Sequence, residues 1–387
     1  MAALYLDNAA STRIDDAVLA LMTEVMRSAW GNPSSQHPQG AAARDHIATA
    51  RRRMLAALGD RDGDGRLGDI VWTSGCTEAD ALAVLGAART RPGSVVTSSV
   101  EHAAVATLAA RLGESRPAIF VDPDRDGVID PDAVARVAGD AAVVSIVMVQ
   151  NEIGVVQPVA AIARAVRQAS PRCHIHVDAA QAFGKVAIDV AALGVDSLAI
   201  AGHKVHGPKG IGALWLRSGA VLEPLWVGGG QQGGLRGGTQ DAPSAAGFGL
   251  AAEHAASVLP ACRARWLELA GRITARLGDR GVAFRQLVPD QRRSPHILAL
   301  GLPGVPATAL RTVLASRGVY ISTGSACAER DGHGKPSPVL LAIGLPPDAG
   351  MCRLSFGHDT TADDADRAAE ILADVALDLA ARAPAQR

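Results

Sequence analysis

Lys204 follows a short apolar run, Leu198 to Ala201, and a glycine, Gly202, with His203 and His206 on either side of it. The run reads as a buried strand and Gly202 as the turn out of it. Lys204 therefore stands at a strand end, where the ligand crevices of α/β sheets lie. An amine there can condense with an aldehyde, provided that cationic or apolar neighbours keep part of it neutral. A plain surface lysine would share this local sequence, so the case needs corroboration elsewhere in the chain.

Asp178 supplies some, at the end of a second apolar strand that begins His174-Ile175-His176-Val177. Beside a crevice, its charge can hold a ring nitrogen protonated. Pyridoxal phosphate needs that partner, because the protonated ring is what accepts electrons from a carbanion. Asp178 alone reads as a turn or cap residue; followed by Lys204 after the next strand, it reads as a cofactor partner. A phosphate cradle is offered by Trp72-Thr73-Ser74-Gly75-Cys76-Thr77-Glu78: a strand, Gly75, then a helix opening at Thr77. Free N–H groups and the helix dipole attract an anion there, although Ser and Thr also serve as ordinary caps. The chain has neither a G-x-x-x-x-G-K-[ST] loop nor a G-x-G-x-x-G turn after a strand, so nucleotide P-loops and dinucleotide folds are unsupported.

These residues need a scaffold. From about residue 17 to 217, β-rich runs (69–73, 94–98, 118–121, 142–149, 174–177, 197–201 and 212–216) alternate with segments such as 77–88, 103–112 and 159–168 that carry apolar residues at helical spacing. Alternation of this kind predicts an α/β fold with a mostly parallel seven-stranded sheet covered on both faces. A Gly-rich stretch, 228–238, closes this part, and an Ala-rich helix from Ser244 to about Leu277 leads away. Weaker strands at 297–300, 319–322 and 352–356 and a helix over 362–381 predict a smaller α+β domain. The expected division is a large domain over 15–255 and a small one from 1–14 and 256–387, although the strand Leu4 to Leu6 fits either.

With 387 residues, 48% hydrophobic and 20% charged, the chain is globular and long enough for two cores. A net charge of -1 provides no long-range attraction to nucleic acid or anionic membrane. The basic run Arg51-Arg52-Arg53 reads as a solvated helix face. No apolar stretch reaches membrane-spanning length, and the N-terminus lacks a signal-peptide pattern, so the expected location is the cytoplasm. Cys76, Cys173, Cys262, Cys327 and Cys352 are scattered without metal or disulfide spacing. Four of them read as buried core thiols. Cys327 instead lies in a polar, Gly-rich segment near Arg330, His333 and Lys335, a setting for a reactive thiolate. Lysine is scarce: Lys185, Lys204, Lys209 and Lys335 are the full set, which draws attention to each.

Nine motifs occur in order: Tyr5-Leu6-Asp7-Asn8-Ala9-Ala10, Gly31-Asn32-Pro33-Ser34-Ser35, Thr73-Ser74-Gly75-Cys76-Thr77-Glu78, Glu101-His102, Asn151-Glu152-Ile153-Gly154-Val155, His176-Val177-Asp178, Gly202-His203-Lys204, Arg236-Gly237-Gly238-Thr239 and Gly324-Ser325-Ala326-Cys327. Over nearly its whole length the chain resembles a cysteine desulfurase of the fold-type I, class V aminotransferase group. The resemblance implies that Lys204 holds pyridoxal 5'-phosphate covalently and shuttles the substrate α-proton. Asp178 would pair with the ring nitrogen, Gln181 with the ring hydroxyl, and His102 would stack on the ring and help move protons. Gly75, Cys76, Thr77 and His203 would hold the phosphate, with Thr239 reaching in from the second subunit of a homodimer. Asn151 and Arg353 would grip the carboxylate of L-cysteine, and Asn8 and Asn32 would line the pocket.

By the same resemblance Cys327 would take the substrate sulfur as a persulfide, release alanine, and pass the sulfur to an acceptor protein. Two departures stand out. Ala201 occupies a position where relatives commonly have a serine that donates to the phosphate, and the chain stops soon after its last helix, without the extended tail of the housekeeping iron–sulfur enzymes. Within the family, by the resemblance and the shortened tail, it is similar to the desulfurase of bacterial DNA phosphorothioation, whose acceptor would be a phosphorothioation enzyme, with no direct binding of nucleic acid by this chain. The alternatives are a housekeeping desulfurase for iron–sulfur proteins or tRNA thiolation, and a related lyase or aminotransferase that does not use Cys327.

Overall fold

A computed structural model describes residues 3–60, 67–324, 337–345 and 350–382, apart from the side chain of Pro338. In chain order it contains β1 (Leu4–Tyr5), α1 (Asp16–Ser28), α2 (Pro38–Ala57), β2 (Gly68–Thr73), α3 (Cys76–Thr90), β3 (Ser94–Ser98), α4 (Ala103–Leu112) and β4 (Ala118–Val121). Next come α5 (Pro131–Val137), β5 (Ala141–Val147), α6 (Val159–Ala169), β6 (His174–Asp178), α7 (Val190–Leu193), β7 (Ser197–Ala201) and β8 (Gly212–Arg217). The remainder is α8 (Ala242–Asp279), β9 (Arg285–Gln286), β10 (Ile297–Leu302), α9 (Ala307–Ser316), β11 (Val319–Tyr320), α10 (Pro338–Ala342), β12 (Gly350–Ser355) and α11 (Ala362–Arg382).

Seven strands form the central sheet in the order β2-β8-β7-β6-β5-β3-β4. Among them β8 alone runs against its neighbours, and the other pairings are parallel. The mostly parallel seven-stranded α/β sheet expected from the alternation is therefore present. Its inner strands β3, β5, β6 and β7 are buried throughout, which explains their largely apolar runs. Side chains alternate across it: Ile70, Val96, Val144, Ile200 and Trp215 face one core, and Val71, Val95, Val143, Ala199 and Leu214 face the other, under α3.

A further core gathers Leu4, Leu6, the C-terminal half of α8, the antiparallel β9-β10-β12 sheet and α11. The long helix α8 serves both regions. Ala242 to Ala252 pack into the large core, and Cys262, Trp266, Leu269, Ile273 and Leu277 into the further one. Asp241 caps it, accepting from the Ser244 amide at 3.0 Å. In α2 the basic run is solvated and paired: Arg51 bonds Asp69, and Arg53 meets Glu253.

Candidate functional site

The turn after β7 is closed by its glycines. Gly202 accepts from the Gly207 amide at 3.0 Å and donates to Ile211 O at 3.1 Å. A Cβ on Gly202 would come within 2.8 Å of Pro208 O, so the tight turn that presents Lys204 requires glycine there. The Lys204 ammonium donates to the carbonyls of Ala9 (2.5 Å) and Ala10 (3.0 Å), in the segment after β1. Burial, and next the guanidinium of Arg353, pull its pKa down from 10.5 to about 8. Much more of the amine is then neutral near physiological pH than for an exposed lysine.

Lys204 opens into a cavity of ≈ 570 Å³. The strand ends place Asp178, Gln181, His102, Asn151, His203 and Arg353 on its wall, and Gly75, Cys76 and Thr77 at the start of α3. First-turn N–H groups of α3 have no intrahelical partner, so this end is built for an anion. Glycine is required beside it: a Cβ on Gly212 would lie 2.5 Å from the carbonyl carbon of Gly75. Ala201 and Lys209 also line the cavity. The Nδ1 of His203 lies 3.2 Å from the Ser11 hydroxyl, and burial together with the charges of Lys204 and Lys209 lowers this imidazole to about 4, leaving it neutral at pH 7.

Asp178 rests on a polar column that the sequence alone did not assemble. Residues 174, 176 and 178 share one face of β6, under α3. His176 Nε2 lies 3.1 Å from Asp80 Oδ1, and Ser197 Oγ is 2.8 Å from both His176 Nδ1 and His174 Nε2. Burial drives His176 down to about 3, and burial with Asp178 and Glu101 nearby drives Asp80 up, so both favour the uncharged pair. The Asp178 carboxylate accepts from the Ala180 amide at 2.9 Å and lies 3.6 Å from Cys76 Sγ. Burial and the carboxylates of Asp178 and Asp80 push the Cys76 thiol well above its ordinary pKa, so it stays protonated and is no nucleophile. The signal for Asp80 was its place one helical turn after Cys76, on the same helix face.

Also lining the cavity, Arg353 donates to Asn151 O at 2.6 Å and to Asp7 at 2.7 Å, and its buried Nε has no partner among the described residues. The backbone amide of Ala104 donates to His102 Nδ1 (3.1 Å), which fixes the ring proton on Nε2. Gln181 donates to Ala9 O at 2.6 Å and faces His296 across 3.3 Å through its oxygen. An amine, a carboxylate, an anion cradle and an unsatisfied guanidinium N–H thus meet in one cavity, and this donor set fits pyridoxal phosphate with an amino acid.

Three expected pocket residues stand elsewhere in the single chain. Asn8 is buried beneath the wall, where its amide donates to Ser355 O at 3.0 Å. Asn32 is exposed and its oxygen accepts from the Ser34 amide. Thr239 is exposed outside the cavity, in a loop that Arg236 anchors to Glu78 of α3 at 3.0 Å. Cys327 lies outside the described residues, as does its segment through Pro336. The described cysteines Cys76, Cys173, Cys262 and Cys352 are free thiols, the last three buried. No helix among the described residues is long and apolar enough to cross a membrane.

A family model described as aminotransferase class-V matches residues 4–368. A cysteine desulfurase IscS 1 of Archaeoglobus fulgidus is 34% identical, over 99% of both chains. Among solved structures, a NifS-like protein superposes with a TM-score of 0.88 at 30% identity, covering 96% of this chain and 99% of its own. A structure of SspA in complex with cysteine gives 0.78 at 30% identity, covering 92% and 99%.

Proposed function

The chain belongs to the aminotransferase class-V family and is a pyridoxal-phosphate-dependent cysteine desulfurase, and from that premise we propose how its own residues perform the reaction. The observation that carries the proposal is the meeting of Lys204, Asp178 and Arg353 on one cavity wall. Bound there, pyridoxal phosphate supplies an aldehyde for an amine and a cationic ring that withdraws electrons from the substrate Cα.

Asp178 is the carboxylate that would keep the ring nitrogen protonated, and the uncharged Asp80–His176 pair beneath it leaves it without a competing cation. The α3 amides, Gly75, Thr77 and His203 would hold the phosphate, with Cys76 packed behind it, and Gln181 the ring hydroxyl. Arg353 and Asn151 would orient the substrate carboxylate, the Arg353 Nε–H being a donor already desolvated for it. Lys204, once its amine is free, would take the α-proton at Nζ, and a pKa near 8 suits a group that must both accept and return a proton. His102, with its proton on Nε2, would hand a proton across the same space. Thr239 of a second subunit, Asn8 and Asn32 would complete the pocket from outside the described wall.

In the transfer step the Cys327 thiolate would attack the substrate sulfur, so that L-cysteine and an enzyme thiol become L-alanine and an enzyme persulfide. The unit 15–255 would hold the cofactor, while 1–14 and 256–387 carry Cys327. A homodimer is supported by exposed apolar side chains such as Trp30 and Val227, 72% and 92% exposed. The free thiols support a reducing compartment, the cytoplasm. For the acceptor we favour an enzyme of DNA phosphorothioation, on the resemblance drawn from the sequence; a pull-down that recovers only an iron–sulfur scaffold rejects that choice.

The test of the whole is one spectrum. The purified protein should carry the absorbance of lysine-bound cofactor, lose it on addition of cysteine, and yield a peptide around Cys327 heavier by one sulfur. Lys204→Ala that still releases sulfur from cysteine at an undiminished rate would refute the reading.

A further inference from the structure

Behind the Lys204 turn, away from the cavity, three imidazoles converge on one carboxylate. Asp15 occupies the N-cap of α1, yet its side chain caps nothing. Its Oδ2 lies 3.1 Å from His254 Nδ1, on α8, and its Oδ1 lies 3.1 Å from His358 Nε2, just after β12. The three ligand atoms lie within 4.8 Å of one another. His206 forms the wall: its ring stacks on His358 at 3.7 Å and 19°, holding that imidazole in place. Its Nδ1 lies 3.8 Å from Asp15 and donates to Arg13 O at 2.9 Å. The Nε2 of this 3% exposed residue is left with a lone pair and no partner among the described residues.

We propose that Asp15, His254 and His358 form a binding site for a divalent transition ion of the zinc type, separate from the cofactor cavity. The two nitrogen–oxygen separations of 3.1 Å run to different Asp15 oxygens, and each is close to the edge, roughly 3.3 Å, of a tetrahedron with bonds of about 2.0–2.1 Å; one oxygen and the two nitrogens lie within 4.8 Å of one another. Two imidazoles and one carboxylate exclude a calcium or magnesium site, which takes oxygens. Three protein ligands leave a fourth position for water. In the metal-free arrangement each ring donates one N–H to Asp15. The dication replaces those two protons in space, each neutral ring carrying its proton on its other nitrogen.

An ion there would tie together the start of α1, α8 and the segment after β12. It would also brace the lysine turn, because the Asp15 amide donates to His206 O at 3.0 Å and His206 is two residues from Lys204. The site would therefore stabilise the fold and position the turn, with no part in the chemistry.

The test uses full-length, cofactor-loaded protein carrying Cys327→Ser, stripped with EDTA and desalted. Titration calorimetry with zinc chloride should give one ion per chain, zinc should raise Tm relative to EDTA, and magnesium should do neither. His254→Ala, at a side chain 46% exposed, and His358→Gln should each weaken zinc at least about tenfold, with Tm in EDTA close to that of the parent. Absence of zinc binding overturns the proposal. So does zinc binding that survives both histidine substitutions, or that is lost instead in Cys76→Ala, which would move the ion to Cys76, Asp80 and Asp178.

Discussion

Arg353 and Asp7 form an ion pair, 2.7 Å from Nη2 to Oδ1, in which the arginine side chain is 4% exposed and the aspartate 23%. Asp7 thus holds the guanidinium at the cavity wall while Nε keeps a hydrogen unspent. Arg353→Lys keeps the charge but loses the planar fork. Hydrogen bonds to a charged group contribute roughly 1.5–3 kcal/mol each, so KM for L-cysteine should rise roughly ten- to a hundredfold. Steady-state alanine production measures it, and an unchanged KM removes Arg353 from substrate binding.

The depressed pKa of Lys204 sets a pH dependence. Cofactor-free enzyme should capture pyridoxal phosphate at a rate that rises about tenfold per pH unit below about 8 and levels off above it, following the neutral amine. Stability has the matching sign. Between about 8 and 10.5 the unfolded lysine holds a proton that the folded one has released, so the cost of burying this group in the cofactor-free fold shrinks as pH climbs through that window. Stopped-flow absorbance and pH-dependent denaturation check the two halves.

Gly212→Ala should damage the anion cradle without touching any side chain of the site. The new methyl meets Gly75 backbone at 2.5 Å and Ile200 O at 2.8 Å, neither of which can swing aside. Overpacking of this kind costs about 1–3 kcal/mol. Purified variant should show a lower Tm and a reduced fraction of bound cofactor, read from absorbance.

The two candidate cysteines should separate cleanly. Cys76 is held as a thiol by burial and two carboxylates, so Cys76→Ala should keep sulfur release within severalfold of the parent. Cys327→Ser should abolish persulfide while the cofactor colour persists. Sulfide assay with peptide mass measurement decides between them, and the reverse pattern would reassign the nucleophile.

Ala201 is buried at the end of β7 and lines the cavity. Ala201→Ser would add a hydroxyl donor there, for a gain of roughly 1.5–3 kcal/mol toward a bound dianion. Loss of cofactor on dialysis should be about tenfold slower or more; an unchanged rate would place the phosphate out of its reach.

Much of this was legible in the residues. Ser94–Ser98, Ala118–Val121 and Ser197–Ala201 have the bounds expected from their β-rich runs, and the last, buried throughout, writes itself as an apolar run after its first residue. The short helix α5 and the N-terminal pair α1 and α2 carried weaker signals, since α2 is rich in alanine and arginine and draws its burial from α8 rather than from its own pattern. Lys204 and Asp178 stood out because charges at strand ends are conspicuous. The column beneath Asp178 did not, because Asp80, His176 and Ser197 come from separate elements and meet only when the register of β6 against β7 is fixed. Nor could composition show that Asp15 forgoes its helix cap for two imidazoles brought from residues 254 and 358.

The 38 residues of α8 extend about 57 Å, and their two ends are embedded in different hydrophobic cores. Neither core can come apart without stripping apolar contacts from the same continuous rod, so the molecule should melt in one cooperative event. A severed bond near Val258 would uncouple the two halves into separate transitions.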